Sequence, residues 1–309
     1  MMINKILKTV AVSLLLSVYI SAQEEVYHHM PTGISPDSER VIFQSWERQK
    51  SGANVAQLFS IKIDGSDLRR EIQLGVNEGW PEFTRDGKKA VLFARLKNKS
   101  DAELFVLDLT DPNDLSSYST VTRLTFGQDY DFFPAWSPDA SEIVFYGHRG
   151  GQNGQLYLIN ADGSNVRNLS NNDAHESDPA WSVNNEITFE SHITGNADVW
   201  VMNGDGTERR NITKHPAQDH FGDWSPDGQQ IVFSSDRSGS ENLYIMNRDG
   251  SGLRQLTDSP EIDRWPTWSR DGKIIAFDRN TPTGSNVVTI RPDGTGEKQL
   301  TEAKSYHIK

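Results

Sequence analysis

The chain has 309 residues, enough for one large domain or two small ones, and 35% of them are hydrophobic. It carries 31 basic and 43 acidic residues, a formal charge of −12, so we expect no binding to nucleic acid or anionic lipid. Cysteine is absent, which excludes disulfides and cysteine nucleophiles and leaves stability to packing and topology.

The start of the chain predicts a secretory signal peptide over residues 1–22. Lys5 and Lys8 form the basic start, residues 9–20 are apolar, and Ser21 and Ala22 are the small residues of a cleavage site. Cleavage after Ala22 leaves 29 basic against 43 acidic residues, a charge of −14. The apolar stretch is short for a bilayer, and we expect no membrane span after cleavage. An uncleaved N-terminal anchor is the alternative.

The rest of the chain, residues 23–309, repeats one pattern six times, and this repetition decides the fold. A turn quartet recurs as SPDS (35–38), TRDG (84–87), SPDA (137–140), SVNN (182–185), SPDG (225–228) and SRDG (269–272). A phenylalanine ends the apolar run after each quartet, at Phe43, Phe93, Phe145, Phe189, Phe233 and Phe277. A third set of equivalent positions begins the next apolar run of each repeat, at Leu58, Leu104, Leu156, Val199, Leu243 and Val287. Agreement among three columns makes the repeat a strong signal.

Each repeat predicts four short strands, which we call A to D. Strand A ends in a large apolar residue, the quartet forms the A–B turn, and an Asp-Gly-Ser or Asp-Gly-Thr hairpin joins C to D. Six such units predict an all-β, six-bladed β-propeller with four antiparallel strands per blade, with blades near 28–75, 76–126, 127–171, 172–214, 215–258 and 259–302. A solenoid competes, but no terminal repeat has a polar cap. The sequence leaves open whether residues 25–30 or 305–309 close the ring.

The repeat resembles the TolB-type, WD-like β-propeller family over roughly residues 28–301. The resemblance rests on Pro-x-Trp-Ser-Pro-Asp-Gly after an acidic residue, then Leu-Tyr-x-Met-Asn-x-Asp-Gly-Ser and Gln-Leu-Thr. It implies a rigid extracytoplasmic propeller that binds other proteins, as TolB does in the Tol-Pal system of the cell envelope. TolB carries an α/β domain before its propeller, whereas these repeats begin about ten residues after the predicted cleavage site, so we expect a TolB-like propeller without that domain.

Candidate binding residues cluster where strand A begins. In five repeats an acid stands five positions before the last large residue of strand A: Glu78, Asp131, Glu176, Asp219 and Asp263. The same position in the first repeat is His29. Asp178 and His220 lie beside them. The B–C loops bring bases to the same face: Arg48, Arg95, His148, Arg149, His192, Arg237 and Arg279. If strand A is innermost, these acids surround one mouth of the central channel. Pairing of acids with bases is the structural alternative to ligand binding.

The leading hypothesis is an exported, non-enzymatic scaffold, periplasmic or secreted and monomeric, that binds an envelope protein or peptide through this mouth. The alternative is a polysaccharide (uronide) lyase-like propeller, since His28, His29, His175 and His220 fall in D–A connections where they could join acids around a divalent cation. No metal-binding motif supports that cation, and we assign no catalytic residue, metal ligand or cofactor. Trp46, Trp80 and Trp265 lie outside the core columns and offer a surface for a glycan or peptide.

Overall fold

A computed structural model describes residues 27–48, 54–74, 76–96, 101–127, 130–149 and 153–304. The predicted signal peptide, residues 1–22, and the tail, residues 305–309, lie outside these ranges. Six separate four-stranded antiparallel sheets follow one another along the chain, and each contacts the next. This confirms the predicted six-bladed, all-β propeller. In the described part of the chain, we find no helix with the length and apolarity that crossing a membrane requires.

The first three blades contain twelve strands in chain order. Blade 1 consists of β1 (His29–Ile34), β2 (Arg40–Arg48), β3 (Asn54–Lys62) and β4 (Arg69–Arg70). Blade 2 consists of β5 (Val76–Phe83), β6 (Lys89–Arg95), β7 (Ala102–Leu109) and β8 (Tyr118–Arg123). Blade 3 consists of β9 (Asp131–Trp136), β10 (Glu142–Gly147), β11 (Gln155–Asn160) and β12 (Arg167–Asn168).

The last three blades repeat the same order. Blade 4 consists of β13 (Glu176–Trp181), β14 (Glu186–Ser191), β15 (Asp198–Asn203) and β16 (Arg210–Asn211). Blade 5 consists of β17 (Asp219–Trp224), β18 (Gln230–Ser235), β19 (Asn242–Asn247) and β20 (Arg254–Gln255). Blade 6 consists of β21 (Ile262–Trp268), β22 (Ile275–Thr281), β23 (Gly284–Ile290) and β24 (Lys298–Gln299). We call the side with the D–A connections and B–C loops the upper face, and the side with the A–B turns and C–D hairpins the lower face.

The quartet acids stabilise the A–B turns. In blade 5, Asp227 accepts hydrogen bonds from the Ser225 hydroxyl (2.6 Å) and the Gln229 amide (3.0 Å), and Gly228 adopts a φ of 67°. The bond from Ser225 and that from Gln229 lower the pKa of Asp227. Asp37, Asp86, Asp139 and Asp271 accept equivalent bonds. The acid of the quartet is therefore a turn-forming residue.

The core lies between the blades and includes one fully buried residue from each strand B. Five of these are the predicted phenylalanines, but the prediction is wrong in blade 2, where the residue is Leu92. Phe93 pairs with Gly79 and Leu104, the register that Glu190 or Ser234 occupies in other blades. Phe93 therefore faces blade 3, where it joins the buried cluster around Phe145, whereas Leu92 faces blade 1, because successive side chains point to opposite faces of a sheet.

The ring closes between blades 1 and 6 without exchange of a strand between their described sheets. Tyr27 forms one parallel bridge with Gly284, and the Tyr27 carbonyl accepts a hydrogen bond from the Ser285 amide (3.1 Å). The His29 Nε2 lies 3.0 Å from the Glu302 carbonyl oxygen and 3.1 Å from that of residue 304. Burial lowers the pKa of His29 to about 4, so the neutral ring donates to these carbonyls. Of the two alternatives from the sequence, residues 305–309 lie outside the described residues, whereas Tyr27, within residues 25–30, contributes this single bridge to blade 6.

Candidate functional site

A β-bulge in strand A shapes the centre of every blade. The pairing of strands A and B shifts register near the residue three positions before the end of strand A. In five blades that residue has a positive φ of 47–56°: Trp80, Phe133, Asp178, Phe221 and Trp265. Positive φ is unfavourable for bulky residues, and such strain concentrates at functional sites. We call these five residues the bulge ring; blade 1 contributes Pro31 by sequence count.

Four members of the bulge ring pack against one another across the channel. The Trp265 ring stacks on Phe221 with centroids 3.7 Å apart, and it lies 5.2 Å from Trp80 and 5.7 Å from Phe133. Blades 3 and 6 are opposite each other in a ring of six, so contact between Phe133 and Trp265 places aromatic side chains on the channel axis. The aromatic members of the bulge ring therefore obstruct the channel near the upper face.

A central cavity of about 500 Å³ is lined by the six A strands, from the bulge ring to the A–B turns. Strand A is thus innermost, which is the condition that the predicted channel mouth required. Three carboxyl groups line the cavity, those of Glu82, Asp178 and Asp223. Burial raises the pKa of Glu82 to about 8 and that of Asp223 to about 6, and the charge of Asp223 also raises the pKa of Glu82. The cavity therefore combines aromatic walls with buried acids.

Most of the predicted site residues lie inside the blades rather than at an open channel mouth. His29, Asp219, Asp263 and Glu176 have 0% of their surface exposed, and Glu78 and Asp131 have 2%. Among the nine predicted residues, only Asp178 lines the central cavity. The acids begin strand A as predicted, but Asp131, Asp219 and Asp263 turn toward arginines of their own blades, so the structure does not place the acids together around the channel.

Arginines pair with the buried acids in three blades, two from the B–C loops and one, Arg279, from the end of strand β22. Arg237 donates to both oxygens of Asp219 (2.8 and 2.9 Å), and its guanidinium lies 5.3 Å from the Phe233 ring centroid and 4.9 Å from that of Tyr244. The equivalent pairs are Asp131 with Arg149 and Asp263 with Arg279. An acid, a guanidinium and a core aromatic ring thus form one repeated structural unit.

Blade 4 builds the same unit from a different segment. Its B–C loop carries Ile193 where blade 5 has Arg237, and Glu176 instead pairs with Arg209, which precedes strand D. The Arg209 guanidinium lies 4.8 Å from the Phe189 ring centroid. The B–C loop of blade 4 is therefore released from pairing with the strand A acid.

His192, in the B–C loop of blade 4, joins a cluster around Glu190. The Glu190 Oε1 lies 2.8 Å from His192 Nε2, and its Oε2 lies 2.8 Å from Nδ1 of His220 in the next blade. The His175 ring stands edge-on to His192 with centroids 5.3 Å apart. Glu190 is only 6% exposed, so a buried carboxylate links blades 4 and 5 through imidazoles.

Charge compensation governs protonation in this cluster. Burial disfavours ionised Glu190, but the charge of His220 and hydrogen bonds from His192 and His220 lower its pKa below the usual range. Burial likewise disfavours protonated His220, yet the charge and hydrogen bond of Glu190 raise its pKa to about 9. We therefore assign an ion pair of Glu190 and His220 at neutral pH. Burial, followed by the Glu190 charge, raises the pKa of neighbouring Asp178 to about 7.

Sequence reasoning missed several residues of this region. Phe133, Phe221, Glu82, Asp223 and Glu190 were not singled out. A shared offset from the end of strand A would have found the bulge-ring members, and Glu190 directly follows the core Phe189 on a strand whose side chains alternate. The predicted histidines do not assemble a metal centre: among the described residues, we find no group of three potential ligands that could hold a metal ion.

Comparison with known proteins identifies the repeat. The family described as the TolB beta propeller domain matches residues 19–189 and 171–307. The structure is similar to that of a putative TolB from Agrobacterium tumefaciens, with a TM-score of 0.65 and 21% identity, covering 78% of this chain and 86% of that chain.

Two further solved structures share the fold at lower identity. TolB from Acinetobacter baumannii gives a TM-score of 0.66 and 16% identity, covering 92% of this chain and 65% of that chain. An oligogalacturonate lyase in complex with manganese gives 0.59 and 14%, covering 89% of this chain and 77% of that chain. Identities this low show the shared propeller and leave activity to be argued from the site.

Proposed function

The chain belongs to the TolB β-propeller family, and from this premise we propose that it is an exported, non-enzymatic propeller that binds a polypeptide segment in the cell envelope. The supporting observation is the central cavity, about 500 Å³ in volume and lined by Trp80, Phe133, Phe221 and Trp265. Cavities of this size with aromatic walls and few polar groups are typical ligand sites. Tryptophan is also the residue type most enriched among binding hot spots.

The binding proposal is tested by selecting peptides from a displayed library against the full chain. We expect Trp265→Ala to weaken the selected peptide at least about tenfold, because a hot-spot aromatic contributes about 2 kcal/mol or more. Trp46→Ala is the matched control, since Trp46 lies on β2 outside the cavity lining, and we expect affinity within about twofold of the parent. Failure of any peptide to bind the folded chain, or equal loss in both variants, would rule out the cavity as the binding site.

Export is a separate part of the proposal and has its own test. When the full chain is expressed in a Gram-negative host, we expect osmotic shock to release a product whose first residue is Gln23. A chain lacking residues 1–22 should remain in the spheroplast fraction. A product retaining Met1 in the membrane fraction would instead support the uncleaved anchor.

A uronide lyase-like activity is the second candidate, and the histidine cluster of His175, His192 and His220 favours it. The shared fold with a lyase solved with manganese adds only a structural likeness. The described residues do not fit a metal, since they contain no three-ligand group, so we derive no metal-dependent step. Release of unsaturated product from oligogalacturonate, lost in His220→Gln, would favour the lyase over the scaffold.

A further inference from the structure

One member of the bulge ring differs chemically from the rest. Four blades place Trp or Phe at this position, whereas blade 4 places Asp178 there with the same positive φ. The Asp178 Oδ2 accepts a hydrogen bond from the Ser177 hydroxyl (2.7 Å). Its Oδ1 is buried and has no hydrogen-bond partner among the residues that the structure describes. A carboxylate with an unused acceptor thus stands in an otherwise aromatic ring.

Two arginines line the lower end of the cavity, and of these Arg85 is exposed and Arg270 is occupied elsewhere. Arg270 extends from the A–B turn of blade 6 to blade 2, where it donates to the carbonyl oxygens of Phe83 (3.1 Å), Thr84 (2.8 Å) and Arg85 (2.9 Å). Its guanidinium therefore bridges two blades instead of serving the Asp178 Oδ1. Glu82 and Asp223 contribute two further acids to the cavity lining.

We propose that the cavity binds a Lys or Arg side chain of the bound polypeptide. Asp178 contacts the cationic group, and the aromatic bulge-ring residues contact the apolar stem of that side chain. Ring faces attract organic cations, and a carboxylate among them supplies the opposite charge. The apolar stem of Lys or Arg fits the ring walls, whereas an anionic side chain would meet three carboxyl groups. This inference rests on the proposed polypeptide binding and adds the residue type that is recognised.

The test uses immobilised full chain and pools of octapeptides that differ only at a fixed central residue. Lys is compared with norleucine and Arg with citrulline, which remove the charge and preserve most of the shape. We expect the charged pool to bind at least about tenfold more tightly than its neutral counterpart, which corresponds to about 1.4 kcal/mol. Asp178→Asn should bring that ratio close to one while leaving affinity for the norleucine pool within about twofold.

The control variant is Asp249→Asn, which makes the same chemical change in an exposed lower-face hairpin. It should preserve the preference for the charged pool. Asp178→Ser provides a second variant if Asp178→Asn fails to fold, as judged by thermal melting. Equal binding of charged and neutral pools by the parent, or a preference that survives in both Asp178 variants, overturns the inference while leaving polypeptide binding intact. If no pool binds the folded parent, both proposals fail.

The pH dependence of binding provides another readout. Asp178 is faced by Glu190 on β14, His220 on β17, Tyr146 on β10 and the Ser177 hydroxyl. A cationic side chain binds the ionised carboxylate better than the protonated one, so affinity for the Lys pool should rise between about pH 5 and pH 8. The rise should be absent for the norleucine pool and in Asp178→Asn. An identical pH profile for the Lys pool in parent and Asp178→Asn would contradict the contact.

Discussion

Blades 4 and 5 have the same four strands and the same bulge, yet they use their charged residues differently. In blade 5 the B–C loop supplies Arg237 to the buried Asp219. In blade 4 the arginine comes from the segment before strand D, and the B–C loop histidine instead joins Glu190. The same scaffold thus carries an acid–arginine pair in both blades, and blade 4 adds a buried cluster of Glu190 and histidines beside its pair. The comparison shows that the candidate site lies where one blade differs from its neighbours.

The largest expected effect comes from removing the guanidinium in blade 5. Arg237→Ala leaves Asp219 fully buried and without this partner, which should cost about 3–5 kcal/mol of unfolding free energy. Arg209→Ala in blade 4 should cost less, because the Arg209 side chain is 24% exposed against 10% for Arg237. Chemical denaturation measures both. Losses in the reverse order would show that the two blades do not differ in this way.

Glu190→Gln tests the titrating cluster. The folded pKa of His220, about 9, exceeds its unfolded value near 6.5, so its pairing stabilises the protein fully below pH 6.5 and this stabilisation is lost as pH rises through 9. The substitution should cost about 1.5–3 kcal/mol at pH 6 and progressively less as the pH rises from 6.5 to 9. Unfolding free energies at several pH values give the slope, and NMR titration of His220 gives its midpoint. An unchanged midpoint would contradict the ion pair.

Asp178→Asn should act in the opposite direction. The folded pKa of Asp178 is raised to about 7, so the parent loses stability as pH rises from about 4 to 7. We expect the variant to be more stable than the parent at pH 8 by about 1–2 kcal/mol, after allowance for partial exposure to the cavity. Thermal melting at pH 4 and pH 8 measures the difference. A variant less stable than the parent at pH 8 would show that the carboxylate is compensated.

The smallest effect is expected at the turn acid of blade 5. Blade 4 has Asn184 at the position of Asp227, so Asp227→Asn should change the unfolding free energy by no more than about 0.5 kcal/mol. The same denaturation measurement applies. A loss above about 1.5 kcal/mol would mean that blade 5 requires a charge that blade 4 does without.

The sequence predicted the fold because turn and core residues recur in every blade. It misplaced Phe93 because Leu92 and Phe93 are adjacent apolar residues that are both buried, and composition does not say which of them faces the preceding blade. The bulge ring was harder to predict, since Trp, Phe and Asp share no side-chain property there and only the backbone conformation unites them. Arg209 was missed because its partner Glu176 lies 33 residues away and on a different strand.

The junction of blades 1 and 6 has a consequence for circular permutation. Each described sheet is made from one continuous stretch of chain, so cutting the chain between two blades divides no sheet. A permutant that joins the original ends through a linker and opens in the connection near Asn172 should retain every strand pairing, since exposed connections tolerate new termini. The new gap would lie between blades 3 and 4, near Asp178, so we expect permutation to loosen the acidic member of the bulge ring while the chain still links the other five junctions.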